Sequence, residues 1–301
     1  MTDVTSVHAA ILAATTRLES EGVPSPRNDA ELLAAQVLGV DRSGLVTAGD
    51  FTSTQIDAFD ALVARRGARE PLQHITGIAW FRHVGLAVGP GVFVPRPETE
   101  LVAGVAIDEA CRVARAGGGV RPVVVVDLCT GSGAIAAAVA DELGRAGVDA
   151  RIHAVELSAS AHAYAERNLA PFGVDLRLGD VAGAFADLDG TADVVVSNPP
   201  YIPDGASIRD PEVAEHDPAL ALWGGADGLD VVRVVVTTAA RLLCPGGLVA
   251  IEHADVQGAS VPALLRSGGS EQAGWRDVFD HQDLAARDRY TTARRTTESE
   301  R

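Results

Sequence analysis

The spacing of apolar residues divides the chain into a helical first quarter and a longer part in which helices and strands alternate. In the first quarter, apolar side chains recur at helical intervals in three segments: Val4–Leu18, Ala30–Leu38 and Ile56–Val63. Breaker residues at Gly22–Pro26 and at Gly49–Asp50 separate these segments. The pattern predicts a small helical bundle over residues 1–75. Two interpretations of it remain open: a folding or dimerisation module, or a domain that recognises a substrate.

Residues 76–97 have a different pattern, in which short β-compatible runs are separated by glycine. Ile78–Phe81 and Gly85–Val88 predict a β-hairpin. The next segment, Val92–Pro97, contains two prolines that force an extended path. We expect this β-hairpin to connect the helical domain to the rest of the chain.

From residue 98 to residue 295 predicted helices alternate with predicted strands, and Val123–Val126 and Val194–Val196 are continuous apolar runs typical of strands buried on both faces. The predicted strands are Val123–Asp127, Ile152–Glu156, Leu176–Leu178, Asp193–Ser197, Leu248–Glu252, Trp275–Phe279 and Tyr290–Arg294. The predicted helices are 98–115, 132–145, 158–170, 228–243 and one near 256–267. This alternation predicts an α/β fold with a doubly wound, mostly parallel sheet. The polar residues 296–301 are expected to form a disordered tail.

The amino-acid composition restricts the kinds of partner that such a protein can bind. The 301 residues include 41 Asp and Glu against 25 basic residues, which leaves a net charge of −16. This acidity is unfavourable for general binding to nucleic-acid phosphates. Every basic residue is Arg, so mechanisms built on a lysine, such as Schiff-base chemistry, are excluded.

Cysteine usage and the N-terminal segment indicate the compartment. The cysteines Cys111, Cys129 and Cys244 have no paired spacing and no nearby histidine ligands, which favours a reducing compartment and predicts no metal site. The first 22 residues lack a basic start and an uninterrupted apolar run, and no run is long enough to span a membrane. We expect a cytoplasmic protein without membrane contact.

A glycine-rich turn, Asp127–Gly133, lies where the first strand of the larger domain runs into a helix. Gly131 and Gly133 permit tight turning and close approach of the backbone to a ligand. Glu156 ends the next strand, where an acidic residue accepts hydrogen bonds from ribose hydroxyls. The alternative for Glu156 is a carboxylate that caps the loop.

Two aspartates extend this candidate cofactor site. Asp180 follows the third strand and either accepts a hydrogen bond from an adenine amino group or stabilises a turn. Asp127 either reaches a ligand or holds the loop through backbone N–H groups. The region lacks the G-x-G-x-x-G pattern of pyrophosphate sites. Carboxylates suit S-adenosylmethionine, which carries adenosine and a sulfonium cation, better than they suit a dinucleotide.

The stretch Asn198-Pro199-Pro200-Tyr201 follows the fourth strand and is the most informative motif. Its prolines fix φ and remove backbone donors, so the loop is rigid and presents carbonyl oxygens. Asn198 adds a side-chain acceptor and Tyr201 adds a flat aromatic face. The loop therefore suits a planar –NH2 group. The first and fourth strands are neighbours in such sheets, so both motifs are expected to open into one crevice.

The glycine turn together with N-P-P-Y resembles class I S-adenosylmethionine-dependent amino-methyltransferases. Further stretches resemble a narrower family, the release-factor glutamine N5-methyltransferases: Phe93–Leu101, His216–Gly228 and Ile251–Gln257. The resemblance covers about the whole chain, whereas N-P-P-Y alone is shared with DNA adenine methyltransferases. The chain departs from the family at Cys129 and Ala254, where glycine is usual.

The resemblance implies a Rossmann-like methyltransferase sheet of seven strands. It also implies methyl transfer from S-adenosyl-L-methionine, with S-adenosyl-L-homocysteine as product, to the glutamine of the Gly-Gly-Gln loop of class 1 peptide chain release factors. The implied cofactor-binding residues are Asp127, Thr130, Gly131, Gly133, Glu156, Asp180 and Asn198. The implied catalytic residues are Asn198, Pro199 and Tyr201, and the implied substrate-binding residues are Asn198, Pro199, Pro200, Tyr201 and Arg96.

Further expectations concern partners and alternatives. We expect a monomer that binds release factor and makes no direct contact with nucleic acid, and Arg96 has a structural ion pair as its alternative role. An adenine N6 or guanine N2 methyltransferase fits the same amino geometry, but it needs a basic groove or a recognition insertion, and neither is visible. A non-catalytic cofactor-binding protein is disfavoured by the intact N-P-P-Y sequence.

Overall fold

The structure is a computed structural model, and it describes residues 5–267 and 274–296. Its α-helices are α1 (Val7–Ser20), α2 (Pro26–Leu38), α3 (Ser53–Gly67), α4 (Leu72–Thr76), α5 (Thr99–Ala116), α6 (Ala134–Arg145), α7 (Ala159–Leu169), α8 (Pro211–His216), α9 (Asp230–Leu242) and α10 (Ser260–Ser267). Its strands are β1 (Ile78–Phe81), β2 (Val84–Ala87), β3 (Val123–Leu128), β4 (Ala150–Glu156), β5 (Asp175–Leu178), β6 (Ala192–Ser197), β7 (Leu243–Glu252), β8 (Trp275–Gln282) and β9 (Asp288–Arg295). Val4 and the residues after Thr296 lie outside the described residues, so the predicted start of the first helix and the predicted tail are not described.

The chain divides into two compact units. The first comprises the chain up to Ile78 together with Ile208–His216, and the second comprises Ala79–Ser207 and the chain from Asp217 onward. Residues 208–216 therefore group with the N-terminal helices, although in sequence they lie within the segment 98–295, where helices and strands alternate.

The first unit packs α1, α2 and α3 around a small apolar core. The rings of Phe51 and Phe59 stack with centroids 5.3 Å apart, and both side chains are buried. Thr52 begins α3 with a capping box, because its side chain and that of Gln55 each accept a backbone N–H at the helix start.

A buried ion-pair cluster ties α8 to the other helices of this unit. Arg66 on α3 donates to Asp29 on α2 at 2.7 Å, and its Nη2 lies 2.7 Å from Glu212 on α8. Arg69 also donates to Glu212, at 3.0 Å. Because buried charges are stable only when paired, these contacts explain why a segment so distant in sequence belongs to this unit.

The second unit is built on a seven-stranded sheet with the order β5-β4-β3-β6-β7-β9-β8. The strands from β5 to β7 run parallel, and β9 is antiparallel to both β7 and β8. The predicted doubly wound, mostly parallel α/β sheet is confirmed. The strand β7 begins earlier than predicted because Pro245, Gly246 and Gly247 form an irregularity within the strand and not a loop before it.

Helices cover both faces of this sheet. Apolar side chains of α5, α6 and α7, among them Val102, Val139 and Leu169, pack against one face. Side chains of α9 and α10, among them Val235 and Leu265, pack against the other. No helix of the described residues is long and apolar enough to cross a membrane.

The parallel strands end at one level. Leu128 of β3 lies opposite Val155 of β4 and Ser197 of β6, and Ser197 lies opposite Ile251 of β7. Residues that end or follow these strands are therefore delivered to one edge of the sheet. In open α/β sheets this edge, next to the point where strand order reverses, is where ligands bind.

Candidate active site

The carboxyl edge of the sheet collects polar side chains from every parallel strand. Four are carboxylates and one is an amide: Asp127, Glu156, Asp180, Asn198 and Glu252. The sequence patterns predicted that the glycine turn and the N-P-P-Y loop open into one crevice at this edge. Carboxylates gathered at one edge create a negative potential that favours a cationic ligand.

Asp127 stabilises the glycine turn through hydrogen bonds. Its Oδ2 accepts hydrogen bonds from the Thr130 hydroxyl at 2.6 Å and from the backbone N–H of Ala136 at 3.2 Å. Among the described residues its Oδ1 is buried without a hydrogen-bond partner. Burial raises the pKa of this carboxyl to about 7. A buried acceptor without a partner is energetically unfavourable, so this position suits a ligand that brings a hydrogen-bond donor.

The turn itself is held in left-handed conformations. Cys129, Gly131 and Gly133 have φ angles of 62°, 60° and 84°. Left-handed backbone at Cys129 explains why glycine is usual there in the family that the sequence resembles, because a Cβ is disfavoured at positive φ. Burial raises the pKa of the Cys129 thiol, which keeps it protonated and a poor nucleophile.

Glu156 holds the turn from the next strand. Its two oxygens accept backbone N–H groups from Gly131 at 2.8 Å and from Ser158 at 2.7 Å. The carboxylate therefore has the loop-capping role that we had considered as an alternative. Because an ionised carboxylate has about four acceptor positions, it can also bind ligand hydroxyls.

Asp180 is exposed and accepts the backbone N–H of Ala182 at 2.8 Å, which makes it a turn residue in this structure. Two apolar side chains beside these carboxylates were missed by the sequence analysis. Leu157 follows Glu156 and is 52% exposed, and Leu178 ends β5 and is 56% exposed. The signal was present, since each leucine stands within two residues of a candidate carboxylate at a strand end. Their exposed faces at a polar edge can receive a flat apolar ligand.

The N-P-P-Y loop is held through side chains. The Asn198 Nδ2 atom donates to the Thr99 hydroxyl at 3.2 Å, which leaves the Asn198 Oδ1 atom as the acceptor of that amide. The Tyr201 hydroxyl donates to Glu252 at 3.4 Å, and burial raises the pKa of Tyr201. The sequence did not predict the contact between Thr99 and Asn198.

A second segment, Leu222–Gly228, supports the loop from behind. Ile202 donates its backbone N–H to Leu222 at 2.9 Å, and Gly224 donates to Ile202 at 2.8 Å. A Cβ at Gly224 would lie 2.7 Å from the Pro200 carbonyl oxygen, so only glycine fits there.

Gln257 braces the same loop. Its Nε2 donates to the Tyr201 carbonyl at 3.0 Å while its Oε1 accepts the Ala254 N–H at 3.0 Å. A side-chain amide that bonds to both segments keeps the backbone of Tyr201 in place.

Arg96 forms the structural ion pair that was its alternative role. Its Nη2 donates to the buried Asp217 carboxylate at 2.6 Å, and its guanidinium lies 5.0 Å from the centroid of the Phe93 ring. A role for Arg96 in substrate binding stays a prediction. No group of three or more His, Cys, Asp or Glu side chains in the described part of the chain is arranged to hold a metal ion.

Fold and site together define a class of protein. The strand order, the glycine turn after the first parallel strand and the N-P-P-Y loop after the fourth are those expected of an α/β methyltransferase. Residues 9–77 match the PrmC N-terminal domain, and residues 120–213 match the methyltransferase small domain.

Curated relatives specify the family. The chain is 54% identical to the release factor glutamine methyltransferase of Streptomyces coelicolor, over 95% of this chain and 97% of that protein. It is 46% identical to the release factor glutamine methyltransferase of Mycolicibacterium smegmatis, over 98% and 100%. It is also 42% identical to the 4-amino-L-phenylalanine/4-methylamino-L-phenylalanine methyltransferase of Streptomyces pristinaespiralis, over 85% and 86%. The chain belongs to the release factor glutamine methyltransferase family and is a methyltransferase, as the sequence predicted.

Proposed function

We propose that this enzyme transfers the methyl group of S-adenosyl-L-methionine to the side-chain amide nitrogen (N5) of the glutamine in the Gly-Gly-Gln motif of class 1 release factors. This methylation tunes translation termination in the cytoplasm, and the enzyme acts as a monomer without direct contact with nucleic acid. The observation that carries the proposal is the Asn198 amide: Thr99 engages its Nδ2, so its Oδ1 is the atom left to accept from a planar –NH2 group. The identity of 54% and 46% to two release factor glutamine methyltransferases, over nearly the whole chain, supports the same substrate.

The residues at the edge of the sheet fit the cofactor. The unpartnered Oδ1 of Asp127 suits a cationic donor, and Glu156 keeps acceptor positions for ribose hydroxyls. Asp180 is exposed next to Leu178, so we assign these two to the amino group and the face of an adenine.

The remaining cofactor contacts follow from the turn. Gly131 has open space where a Cβ would lie, and Gly133 is the N-cap residue of α6, so the backbone there can approach a ligand closely. Thr130 orders the turn through its bond to Asp127. When bound, the cofactor supplies an electrophilic methyl group on a sulfonium sulfur.

The N-P-P-Y loop accepts hydrogen bonds from both N–H groups of the glutamine amide. An amide nitrogen is a poor nucleophile because its lone pair is delocalised. Bonds to Asn198 Oδ1 and to the Pro199 carbonyl orient that nitrogen and favour a more tetrahedral form. The two oxygen dipoles stabilise the positive charge that develops on nitrogen. Pro200 stiffens the loop, and the face of Tyr201 packs against the amide plane.

Alignment supplies much of the remaining rate enhancement. Well-oriented reactants gain roughly 7–11 kcal/mol relative to free encounter. The product amide loses its extra proton after methyl transfer, so no general base is required before the step. In this proposal the helical unit serves in recognition of the release factor.

One observation favours a second class of methyl acceptor. One relative is named for methylation of 4-amino-L-phenylalanine, whose aryl –NH2 is also planar. The deciding experiment incubates the enzyme and cofactor separately with release factor, 4-amino-L-phenylalanine, ribosomal RNA and DNA. Mass spectrometry then locates any added methyl group. We expect methylation at the glutamine of the Gly-Gly-Gln motif, and transfer confined to the small amine or to nucleic acid would overturn the proposal.

A further inference from the structure

A cavity lies at the edge of the sheet opposite the candidate active site. Its volume is about 620 Å³, which is within the range of pockets that hold small ligands. Its wall comes from the second half of α5, the segment before β3, the amino ends of β6 and β7, and the strands β8 and β9, all within the second unit. The charged side chains that line it are Glu109, Arg112, Arg121, Asp193, Arg276 and Arg294.

Glu109 is a buried carboxylate whose acceptor positions are all taken. Its Oε1 accepts hydrogen bonds from Arg112 Nη2 at 2.7 Å and from Arg294 Nη1 at 2.6 Å. Its Oε2 accepts from Arg112 Nε at 2.8 Å and from Arg294 Nη2 at 2.9 Å. Because a carboxylate has about four lone-pair positions, Glu109 fixes the two guanidinium planes and offers no acceptor to a ligand.

Asp193, in the first turn of chain of β6, is saturated in the same way. Its Oδ2 accepts from Arg121 Nη1 at 2.7 Å and from the backbone N–H of Val124 at 2.9 Å. Its Oδ1 accepts from Arg121 Nη2 at 2.5 Å, and the Cys244 thiol is a weak fourth donor at 3.8 Å. Asp193 is 3% exposed and Glu109 is 6% exposed. Both carboxylates therefore hold arginines in place from a buried position.

The arginines keep N–H donors that these carboxylates do not use. A guanidinium has five N–H groups. The hydrogen bonds to described residues use two of those of Arg112, three of those of Arg121 and three of those of Arg294. The side chains of Arg112 and Arg121 are also half exposed. The cavity wall therefore presents N–H donors, whereas the oxygens of Glu109 and Asp193 are already engaged.

The lining side chains carry a net positive charge. Four arginines line the cavity against two carboxylates, and one of them, Arg276, also pairs with the exposed Asp277. This local excess contrasts with the net charge of −16 of the whole chain. A concave site with positive charge and N–H donors favours an anion, whereas the acidity of the chain is unfavourable for an extended nucleic acid.

A phosphate group matches these donors better than a carboxylate does. It offers three terminal oxygens, and the planar fork of an arginine pairs with it through two parallel hydrogen bonds. Guanidiniums from different elements can therefore bind one phosphate or two linked phosphates together. We propose that the arginine-lined cavity at the amino ends of β6 and β7 binds the phosphate groups of a small phosphorylated molecule. This binding site is independent of the proposed methyl transfer.

Calorimetry on the full chain at low ionic strength tests binding, because salt screens contacts between exposed charges. The probes are pyrophosphate, ADP and citrate, the last being an anion that carries carboxylates only. We expect pyrophosphate and ADP to bind at least roughly tenfold more tightly than citrate. Tighter binding of ADP than of pyrophosphate indicates a nucleotide ligand, and any other order indicates recognition of the phosphates alone. Absence of binding by both, or equal affinity for citrate, overturns the proposal.

Two substitutions on different elements locate the site. Arg112→Gln on α5 leaves Glu109 its pair with Arg294, so no carboxylate is left buried without a partner. Arg276→Gln removes a second guanidinium, from β8. Each should weaken pyrophosphate binding roughly 10- to 100-fold, as for loss of a charged hydrogen-bond donor. The matched control is Arg115→Gln, which removes the same charge from an exposed position on α5 outside the cavity wall and should retain wild-type affinity.

Thermal unfolding checks that each variant folds, and if one does not, the other decides. Saturating S-adenosyl-L-homocysteine should leave the affinity for pyrophosphate unchanged, because the candidate cofactor site lies at the opposite edge of the sheet. Displacement by this compound would place the anion in the candidate active site and overturn the proposal. Wild-type affinity in the folded cavity variants, or an equal loss in Arg115→Gln, would overturn it as well.

Discussion

The two halves of the crevice hold their polar groups by different means. In the cofactor half, formed by Asp127, Glu156 and Asp180, each carboxylate accepts at least one backbone N–H from a turn or helix start beside it, and Asp127 also accepts the Thr130 hydroxyl. In the acceptor half, formed by Asn198 and Tyr201, the polar groups are held by the side chains of Thr99 and Glu252 from other elements.

This difference indicates that the protein binds the cofactor and orients the methyl acceptor by different means. A carboxylate bonded to backbone N–H groups shapes a pocket, so its loss should weaken cofactor binding before it slows chemistry. A side-chain hydrogen bond that orients the amide of Asn198 acts on the group that binds the reacting nitrogen, so its loss should reduce kcat. The predictions below test this separation, from the largest expected effect to the smallest.

Asn198→Ala should show the largest effect. Without Oδ1 the acceptor amide loses the group that orients it and stabilises its developing charge, so kcat should fall by roughly three orders of magnitude. Cofactor affinity, measured by calorimetry, should change less than about threefold. Thermal unfolding provides the check on folding. Retained turnover on release factor would contradict the assignment of this residue.

Glu156→Gln tests the cofactor half. A glutamine has one acceptor oxygen where the carboxylate has two, so either Gly131 or Ser158 loses its partner, and the negative charge is lost as well. We expect cofactor affinity to fall roughly 10- to 100-fold, with kcat at saturating cofactor nearly unchanged. The matched control is Glu166→Gln, which removes the same charge from an exposed position on α7. A fall in kcat comparable to that of Asn198→Ala would abolish the distinction between the halves.

Cofactor affinity should also depend on pH. Burial raises the pKa of Asp127 to about 7 and that of Glu156 above its usual value, so both carboxylates are more protonated at pH 6 than at pH 8. Since a cation favours the ionised carboxylate, Kd should decrease as pH rises, by up to about tenfold for one group over this interval.

Asp127→Asn supplies the check on that assignment. Its amide does not titrate, so the pH dependence of Kd should be largely lost. The raised pKa also means that the folded protein holds this proton more tightly than the unfolded chain. The contribution of Asp127 to stability therefore decreases as pH rises from about 4 to about 7. A wild-type Kd that increases with pH would be inconsistent with a cation at this edge.

Cys129→Gly should have the smallest effect. The residue has a φ of 62°, where a Cβ is disfavoured by about 1 kcal/mol, whereas glycine adopts this conformation readily. Glycine also increases the entropy of the unfolded chain, so the net change in unfolding free energy should be within about 1 kcal/mol. Cofactor affinity should increase a few-fold or stay constant, and calorimetry with the wild type as reference measures it. A large loss of affinity would show that the thiol itself contacts the ligand.

Much of the fold could be predicted because its signals are local. Val123–Val126 and Val194–Val196 are apolar runs bounded by turn residues, and the structure has β3 and β6 there. The wrong start of β7 is also instructive. Pro245 and the glycines after it carry turn signals, yet pairing with β6 keeps Leu243 in the strand. Tertiary pairing overrode a local preference at that point.

By itself the sequence determined the class of fold, the family and the two motifs of the crevice, because periodicity, glycine turns and N-P-P-Y are properties of short segments. Only the tertiary structure decided which groups hold Asn198 and Tyr201. Thr99 lies 99 residues before it in the chain, and Glu252 lies 51 residues after Tyr201. Such contacts depend on the order and level of strands and helices in three dimensions. No short segment encodes them, since a hydrogen bond between distant residues forms only after β3, β6 and β7 have aligned their ends.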